Sequence, residues 1–335
     1  MKRILSIDFA RGLAIIAIVW FHAVDKLDYN SIILTSIAKS FPLPVLFMIS
    51  GAILNRRLNA SNFDGKFYQK SLFLRILVPF YSLGICFTVI DLLIPESMHH
   101  SYSFKDMISA LLFEQTNVDK LPSSPLWFLF TLFILSYFIY IFTKKIPLSL
   151  PILLIIAVVL KLIPTFEGVH YFGIDAFADN FIFFICGYIF SPYILEENTH
   201  IIIFLVSLSL WILCLKYQEL FAFSINFRKL FIGIASSITI FHCSYFAIRY
   251  FPKNFLQKLV TYCGVNSLFI FVLHSGTIFI FKQITIWMDL ANSITGLFIV
   301  IIGCIIMSLL IGKLFSYNAT LSKLLFGRVV LNIDK

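Results

Sequence analysis

The sequence predicts an all-α fold, a polytopic transmembrane bundle of about ten helices formed by residues 1–335 as a single domain. Hydrophobic residues make up 60% of the 335 residues and charged residues only 13%, whereas a soluble domain carries about 25% charged residues. The mean hydropathy is +0.94. Because so few charges cannot cover a water-exposed surface, lipid must cover the outside of the bundle.

Apolar stretches follow one another along the whole chain, separated by short polar or proline-bearing breaks. A spanning helix needs about 20 mostly apolar residues, and about ten stretches meet that length. The two spans that meet at residues 144–147 and the span that begins at His200 are barely long enough to cross. The predicted spans are 4–24, 32–54, 72–95, 126–143, 148–165, 177–195, 200–216, 229–248, 261–282 and 294–316.

Lysine and arginine cluster in alternate loops, which predicts that both termini are cytoplasmic. The formal net charge of +9 does not indicate nucleic-acid binding, because the cations flank apolar runs as they do in membrane proteins. The longest external segment, 95–125, has apolar residues at helical spacing and predicts an amphipathic helix over the outer mouth. The six cysteines all fall in apolar segments, which predicts buried thiols instead of disulfides.

The first predicted span carries two ionisable residues, Arg11 and His22. They are eleven positions apart, so at about 100° per residue they differ by about 1100°, three turns plus about 20°. They therefore share one helix face and are separated by about 16 Å along the axis. Asp8 lies one turn before Arg11 and can pair with its guanidinium.

An arginine inside a membrane costs about 2.5 to 3.5 kcal/mol on insertion scales, so it is expected to face a polar cavity or an ion pair. One interpretation is a structural ion pair of Asp8 with Arg11 and a histidine that reaches the surface. The other is a two-part site, in which Arg11 holds a phosphate or carboxylate and His22 accepts a proton from a hydroxyl.

Other candidate residues allow a structural and a functional interpretation. Ser50 precedes Gly51, which suits close helix packing as well as catalysis. Trp127 stands where interfacial tryptophans occur and can also stack on a sugar. His274, with Ser267 two turns earlier, can line the same cavity as His22 or make an interhelical hydrogen bond.

No metal site is predicted. His99 and His100 are adjacent, so in a helix they would point about 100° apart and make a poor chelate.

Four motifs resemble those of the acyltransferase-3 membrane proteins, in the order of that family. Residues 7–14 (IDFARGLA), continuing to His22, resemble its opening helix, with the family's spacing of arginine, ten residues and histidine. Residues 44–51 (PVLFMISG) and 126–129 (LWFL) resemble its second and fourth spans. Residues 264–274 (GVNSLFIFVLH) resemble its late helix. The resemblance covers nearly the whole chain.

The resemblance implies an enzyme of the bacterial plasma membrane that moves an acyl group, usually acetyl from acetyl-CoA, to a hydroxyl of an envelope polysaccharide or glycolipid. It implies that His22 is the catalytic base and that Arg11 engages the donor, which is a substrate and not a permanently bound cofactor. Asp8, Ser50, Trp127, Ser267 and His274 match or adjoin motif positions and are expected at the substrate.

The chain departs from the family before the third span, where two arginines three residues apart are usual. Arg75 is present, but Leu72 stands at the other position. Lys70, Arg56 or Arg57 can supply the second positive charge to a phosphate of the donor, although lysine lacks the bidentate fork of arginine.

A secondary transporter is the alternative from another class, with Asp8, Arg11 and His22 as a relay for a small polar or anionic solute. Composition fits it equally well. The chain shows no paired glycine or proline interruptions in corresponding halves, which are typical of broken-helix transport sites. The sequence therefore favours acyl transfer.

Overall fold

The computed structural model describes residues 3–27, 32–93, 103–121, 123, 125–163, 166, 168–195, 200–217, 225–251 and 254–327. For residues 32–34 it describes the backbone alone. Helices dominate these residues, and no strand occurs among them, which confirms the all-α prediction. Eight helical segments are long and apolar enough to cross a membrane, and two shorter apolar helices, Leu150–Leu162 and Ile201–Lys216, accompany them. The fold is a polytopic helical bundle.

The helices are numbered in chain order. They are α1 Leu5–Lys26, α2 Ile32–Ser40, α3 Pro42–Leu58, α4 Gly65–Leu72, α5 Val78–Leu93, α6 Phe104–Leu112, α7 Leu126–Lys144, α8 Leu150–Leu162, α9 Ile174–Ile189, α10 Ser191–Leu195, α11 Ile201–Lys216, α12 Ile225–Tyr250, α13 Phe255–Val265, α14 Ser267–Trp287, α15 Ile294–Ser316 and α16 Ala319–Phe326.

Several helix boundaries differ from the sequence prediction. The second predicted span, 32–54, is interrupted at Phe41, directly before Pro42, and continues to Leu58, because the residue before a proline is disfavoured in a helix. The third span was predicted from residue 72, but the helix begins at Gly65, because the Asp64 side chain accepts hydrogen bonds from the first backbone N–H groups of α4. The ninth span was predicted over 261–282, but the chain leaves the helical path at Asn266, which separates α13 from α14. By contrast, α15 has the bounds that the hydropathy predicts.

Helix α1 lies at the centre of the bundle, in contact with α2, α3, α12, α13, α14 and α15. Its closest approach is to α13, where two glycines let the backbones meet. A Cβ on Gly12 would lie 1.9 Å from the Val260 carbonyl oxygen, and a Cβ on Gly264 would lie 1.7 Å from the Asp8 carbonyl oxygen. This crossing fixes the Arg11 end of α1 against α13.

A second glycine crossing joins α3 to α9. A Cβ on Gly51 would lie 2.0 Å from the Phe184 carbonyl oxygen, and one on Gly187 would lie 2.0 Å from the Met48 carbonyl oxygen. Just beyond the end of α9, Ser191 of α10 donates a hydrogen bond of 3.0 Å to the Ala52 carbonyl oxygen, further along α3. Because contacts advance together along both chains, α3 and α9 run in the same direction.

The segment over 95–125 contains the predicted amphipathic helix, α6. Ser103 and Asp106 form a capping box at its start, and the hydrogen bonds from Ser103 lower the pKa of Asp106. Its buried residues include Met107 and Leu111, and Leu111 packs against Gly84 of α5. The part of the predicted segment over 94–102, with His99 and His100, lies outside the described residues.

Candidate active site

The face of α1 that the sequence singled out runs along one unbroken helix of 22 residues. At its beginning, Asp8 is 7% exposed and pairs with the Nε atom of Arg3. A distance of 3.6 Å separates the Arg11 Nη1 atom from the Asp8 Oδ1 atom. Arg11 keeps 30% of its side chain exposed, so this end of the face is charged and partly hydrated.

At the other end of the same face, His22 packs against a second histidine. The ring centroids of His22 and His274 lie 5.0 Å apart, with the rings inclined by 39°. His274 comes from α14 and is 1% exposed, whereas His22 is only partly buried. The packing of α14 on α1 thus brings together two residues that are 252 positions apart in the chain.

The Nδ1 atom of His274 lies 2.6 Å from the Phe271 carbonyl oxygen, one turn back in its own helix. Its Nε2 atom is buried and has no hydrogen-bond partner among the described residues. Of the two interpretations of this histidine, the interhelical hydrogen bond is therefore not made among the described residues, and the ring that packs on His22 has an unused nitrogen.

Aromatic rings connect this histidine pair to the start of α7. Phe271 lies 5.9 Å from His274 and 4.8 Å from Phe128 between ring centroids. Trp127, partly buried after Pro125, meets Phe128 edge-on. Ser267 is the first residue of α14, seven positions before His274, and so lies on the same face of that helix. Trp127 is thus linked to the His22 end of the face through this series of rings.

The residues predicted to hold the donor lie at the opposite end. Arg75 is exposed within a π-helical turn over Phe73–Leu77. Pro79 explains this turn, because a proline cannot donate to the carbonyl four residues earlier and its ring clashes with that carbonyl. A proline four residues after Arg75 is therefore a sequence signal for such a turn, and π-helical turns are frequent at functional sites.

Leu72 is 6% exposed and packs in the core, so it contributes no charge to this region. Arg57, at the end of α3, lies within electrostatic range of Arg75 and stacks on Tyr68, with its guanidinium carbon 4.9 Å from the ring centroid. Lys70 is exposed in the last turn of α4. Arg57 and Arg75 are thus two cations within electrostatic range of each other, and Arg57 can supply the positive charge that Leu72 lacks.

Ser50 is occupied by its own helix, since its hydroxyl donates a hydrogen bond of 2.7 Å to the Leu46 carbonyl oxygen. The adjacent Gly51 lies in the crossing with α9. These contacts support the packing interpretation of this motif.

A large apolar cavity of about 440 Å³ lies beside the beginning of α1. It reaches neither Arg11 nor His22, and its polar lining includes His200, His242 and Tyr245. Because one cavity is lined by the beginnings of α1 and α11 and by the ends of α9 and α12, these four termini share one end of the bundle. Arg57 lies at this end too, since α3 runs with α9.

Chemically, the face of α1 offers cations at one end and an imidazole at the other, which suits a donor phosphate and a hydroxyl proton respectively. A search of curated proteins and a search of solved structures each gave no match. The family model described as an acyltransferase domain, of the acyltransferase-3 type, matches residues 4–313. Since this match spans nearly the whole chain, the protein belongs to the acyltransferase-3 family of membrane acyltransferases.

Proposed function

We propose that this protein is an O-acetyltransferase of the bacterial plasma membrane, which moves an acetyl group from acetyl-CoA to a hydroxyl of an envelope polysaccharide or glycolipid. The observation that carries this proposal is the partly exposed His22 ring packed on His274, in a chain that belongs to an acyltransferase family. The end of the bundle where α1 begins faces the cytoplasm in this proposal, as the lysine and arginine distribution predicts.

His22 is the general base. It accepts the proton of the acceptor hydroxyl while the hydroxyl oxygen attacks the thioester carbon. The new carbon–oxygen bond forms, the carbon–sulfur bond breaks, and the proton held on His22 passes to the leaving thiolate of CoA. The acetyl group passes from the sulfur of CoA to the oxygen of the acceptor, and the proton passes from that oxygen through His22 to the sulfur. The reaction therefore needs no reactant besides the donor and the acceptor.

The donor binds through its phosphates at the cationic end. Arg75 and Arg57 form the main contact, because two arginines in electrostatic range offer planar forks to phosphate oxygens. Lys70, exposed one turn before Arg75, adds a point charge. The pantetheine arm then follows α1 past Arg11, whose guanidinium Asp8 orients, and brings the thioester about 16 Å along the helix to His22.

The acceptor binds at the His22 end. Trp127 offers an aromatic surface for a sugar ring, and His274 packs on His22. Ser267 lies on the same face of α14, about 10 Å before His274, and so lines the path between Arg11 and His22. Ser50 lies away from this site, because the neighbouring Met48 lines one cavity with Ser6 and Ile7 at the beginning of α1, and its hydroxyl is bonded within its own helix.

Transport is the competing function, and the family to which the chain belongs does not favour it. The test uses purified protein in liposomes, acetyl-CoA with a radiolabelled acetyl group, and envelope glycan from the host. Transfer of label to the glycan is the expected result. Accumulation of unmodified glycan or acetyl-CoA inside the liposomes, without label transfer, would show that the protein is a transporter and not an acetyltransferase.

A further inference from the structure

A buried, unused nitrogen beside the proposed base is a structural anomaly in this bundle. The His274 side chain is 1% exposed, and its Nε2 atom meets no hydrogen-bond partner in the described part of the chain. A buried polar atom without a partner lowers stability, so such atoms are rare and call for an explanation. The His22 ring, 5.0 Å away between centroids, is a polar group that packs on the His274 ring.

The contact at the opposite nitrogen fixes the protonation pattern of His274. A backbone carbonyl only accepts hydrogen bonds, so the Nδ1 atom, 2.6 Å from the Phe271 carbonyl oxygen, must carry the proton and donate it. A second proton on Nε2 would place a charge in apolar surroundings, which is costly. The Nε2 atom therefore presents a lone pair, which makes it a hydrogen-bond acceptor only.

We infer that His274 is a positioning residue, whose Nε2 atom accepts the N–H of His22 when substrate binds and so fixes the tautomer of the base. With one ring nitrogen of His22 donating to His274, the other must carry the lone pair that takes the proton of the acceptor hydroxyl. This inference rests on the proposed role of His22. Catalytic hydrogen bonds are often long before substrate binds and shorten in the complex.

Other groups around His22 do not take this role in the structure. Asp25 and Lys26 on α1 and Lys39 on α2 lie within electrostatic range. Asp25 is exposed, and the ammonium of Lys39 lies 4.4 Å from the centroid of the Phe21 ring. A carboxylate close to a histidine is the other usual means of orienting its ring. Asp25 is the carboxylate one turn from His22, so its substitution is the control for the substitutions of His274.

The test compares two substitutions of His274 in purified protein held in lipid nanodiscs. His274→Leu removes the acceptor, whereas His274→Gln keeps a side-chain oxygen that can accept. We expect His274→Leu to lower kcat about 100-fold with little change in the KM for acetyl-CoA, and His274→Gln to recover part of that loss. Asp25→Asn should leave kcat within a factor of about two, as its side chain is exposed.

A second measurement is independent of turnover. Nitrogen-15 NMR of histidine-labelled protein in nanodiscs, with the His22 signals assigned by their loss in His22→Ala, reports its tautomer with acceptor glycan bound. One tautomer in the wild type and a mixture in His274→Leu is the expected result. The same tautomer distribution in both proteins overturns the inference, even if acetyl transfer is confirmed.

Two further outcomes are informative. An unchanged tautomer with a raised KM for the glycan in His274→Leu shows that His274 binds substrate directly, which also overturns the inference. If the wild type transfers no acetyl group but its His22 tautomer depends on His274, the positioning contact stands and the proposed function fails.

Discussion

The two ends of α1 use ionisable residues in opposite ways. At the beginning, Arg11, Asp8 and Arg3 form a charged group that stays partly exposed. Eleven residues later, His22 packs on His274, whose Nε2 atom is buried and makes no hydrogen bond among the described residues. The Phe271 ring lies beside this pair. In the proposed function, the charged end binds the phosphates of the donor, whereas the histidine end accepts one proton. On that proposal, a single helix separates donor binding from chemistry by about 16 Å.

Removal of the imidazole should have the largest effect. His22→Ala should lower kcat by a factor of about 10² to 10⁴, the usual contribution of a positioned general base, and should leave acetyl-CoA binding intact. Label transfer and acetyl-CoA binding are measured on the same preparation. His242→Ala, which alters a buried histidine of α12 outside the site, is the matched control. Transfer at the wild-type rate by His22→Ala would contradict the proposed mechanism.

The next largest effect is expected where α13 holds the charged end in place. Gly264→Ala puts a methyl group 1.7 Å from the Asp8 carbonyl oxygen, so the backbones must separate. Overpacking of this kind costs about 1 to 3 kcal/mol, which should lower the thermal unfolding temperature in detergent and weaken donor binding. Gly276→Ala on α14 is the control, because a Cβ there meets nothing within 4 Å. Equal unfolding temperatures for the two variants would show that this crossing is not tight.

Neutral substitutions at the donor end should change binding and not chemistry. Arg75→Gln and Arg57→Gln should each raise the KM for acetyl-CoA about tenfold, the loss of one charge-assisted contact, with kcat nearly constant. Arg249→Gln, which removes an exposed cation from the end of α12, should have little effect. A fall in kcat at constant KM would show that these arginines do not bind the donor.

The smallest effect is expected at Ser50. Its hydroxyl bonds to the Leu46 carbonyl oxygen of its own helix, so Ser50→Ala should change kcat and KM by less than about twofold. Ser50→Val, which keeps no hydroxyl and adds bulk beside the α3–α9 crossing, should destabilise the protein instead. A large loss of kcat in Ser50→Ala with normal stability would assign this serine a catalytic role.

Hydropathy alone located most spans, because burial in lipid requires about 20 apolar residues wherever the helix packs. The seventh predicted element, 200–216, and the last, 294–316, agree with α11 and α15. The errors occur where a local feature interrupts or extends an apolar stretch: the Asp64 cap before α4, the proline at position 42 that follows the break at Phe41, and the departure from helical geometry at Asn266. A hydropathy window does not register such features.

For the candidate site, the sequence by itself determined that Arg11 and His22 share one face, since that follows from helical geometry within 22 residues. Only the tertiary structure decided that His274 lies against His22 and that Arg57 lies near Arg75. Those contacts depend on which helices pack together, and that is set by small residues and by shape complementarity between helices that are far apart in the chain.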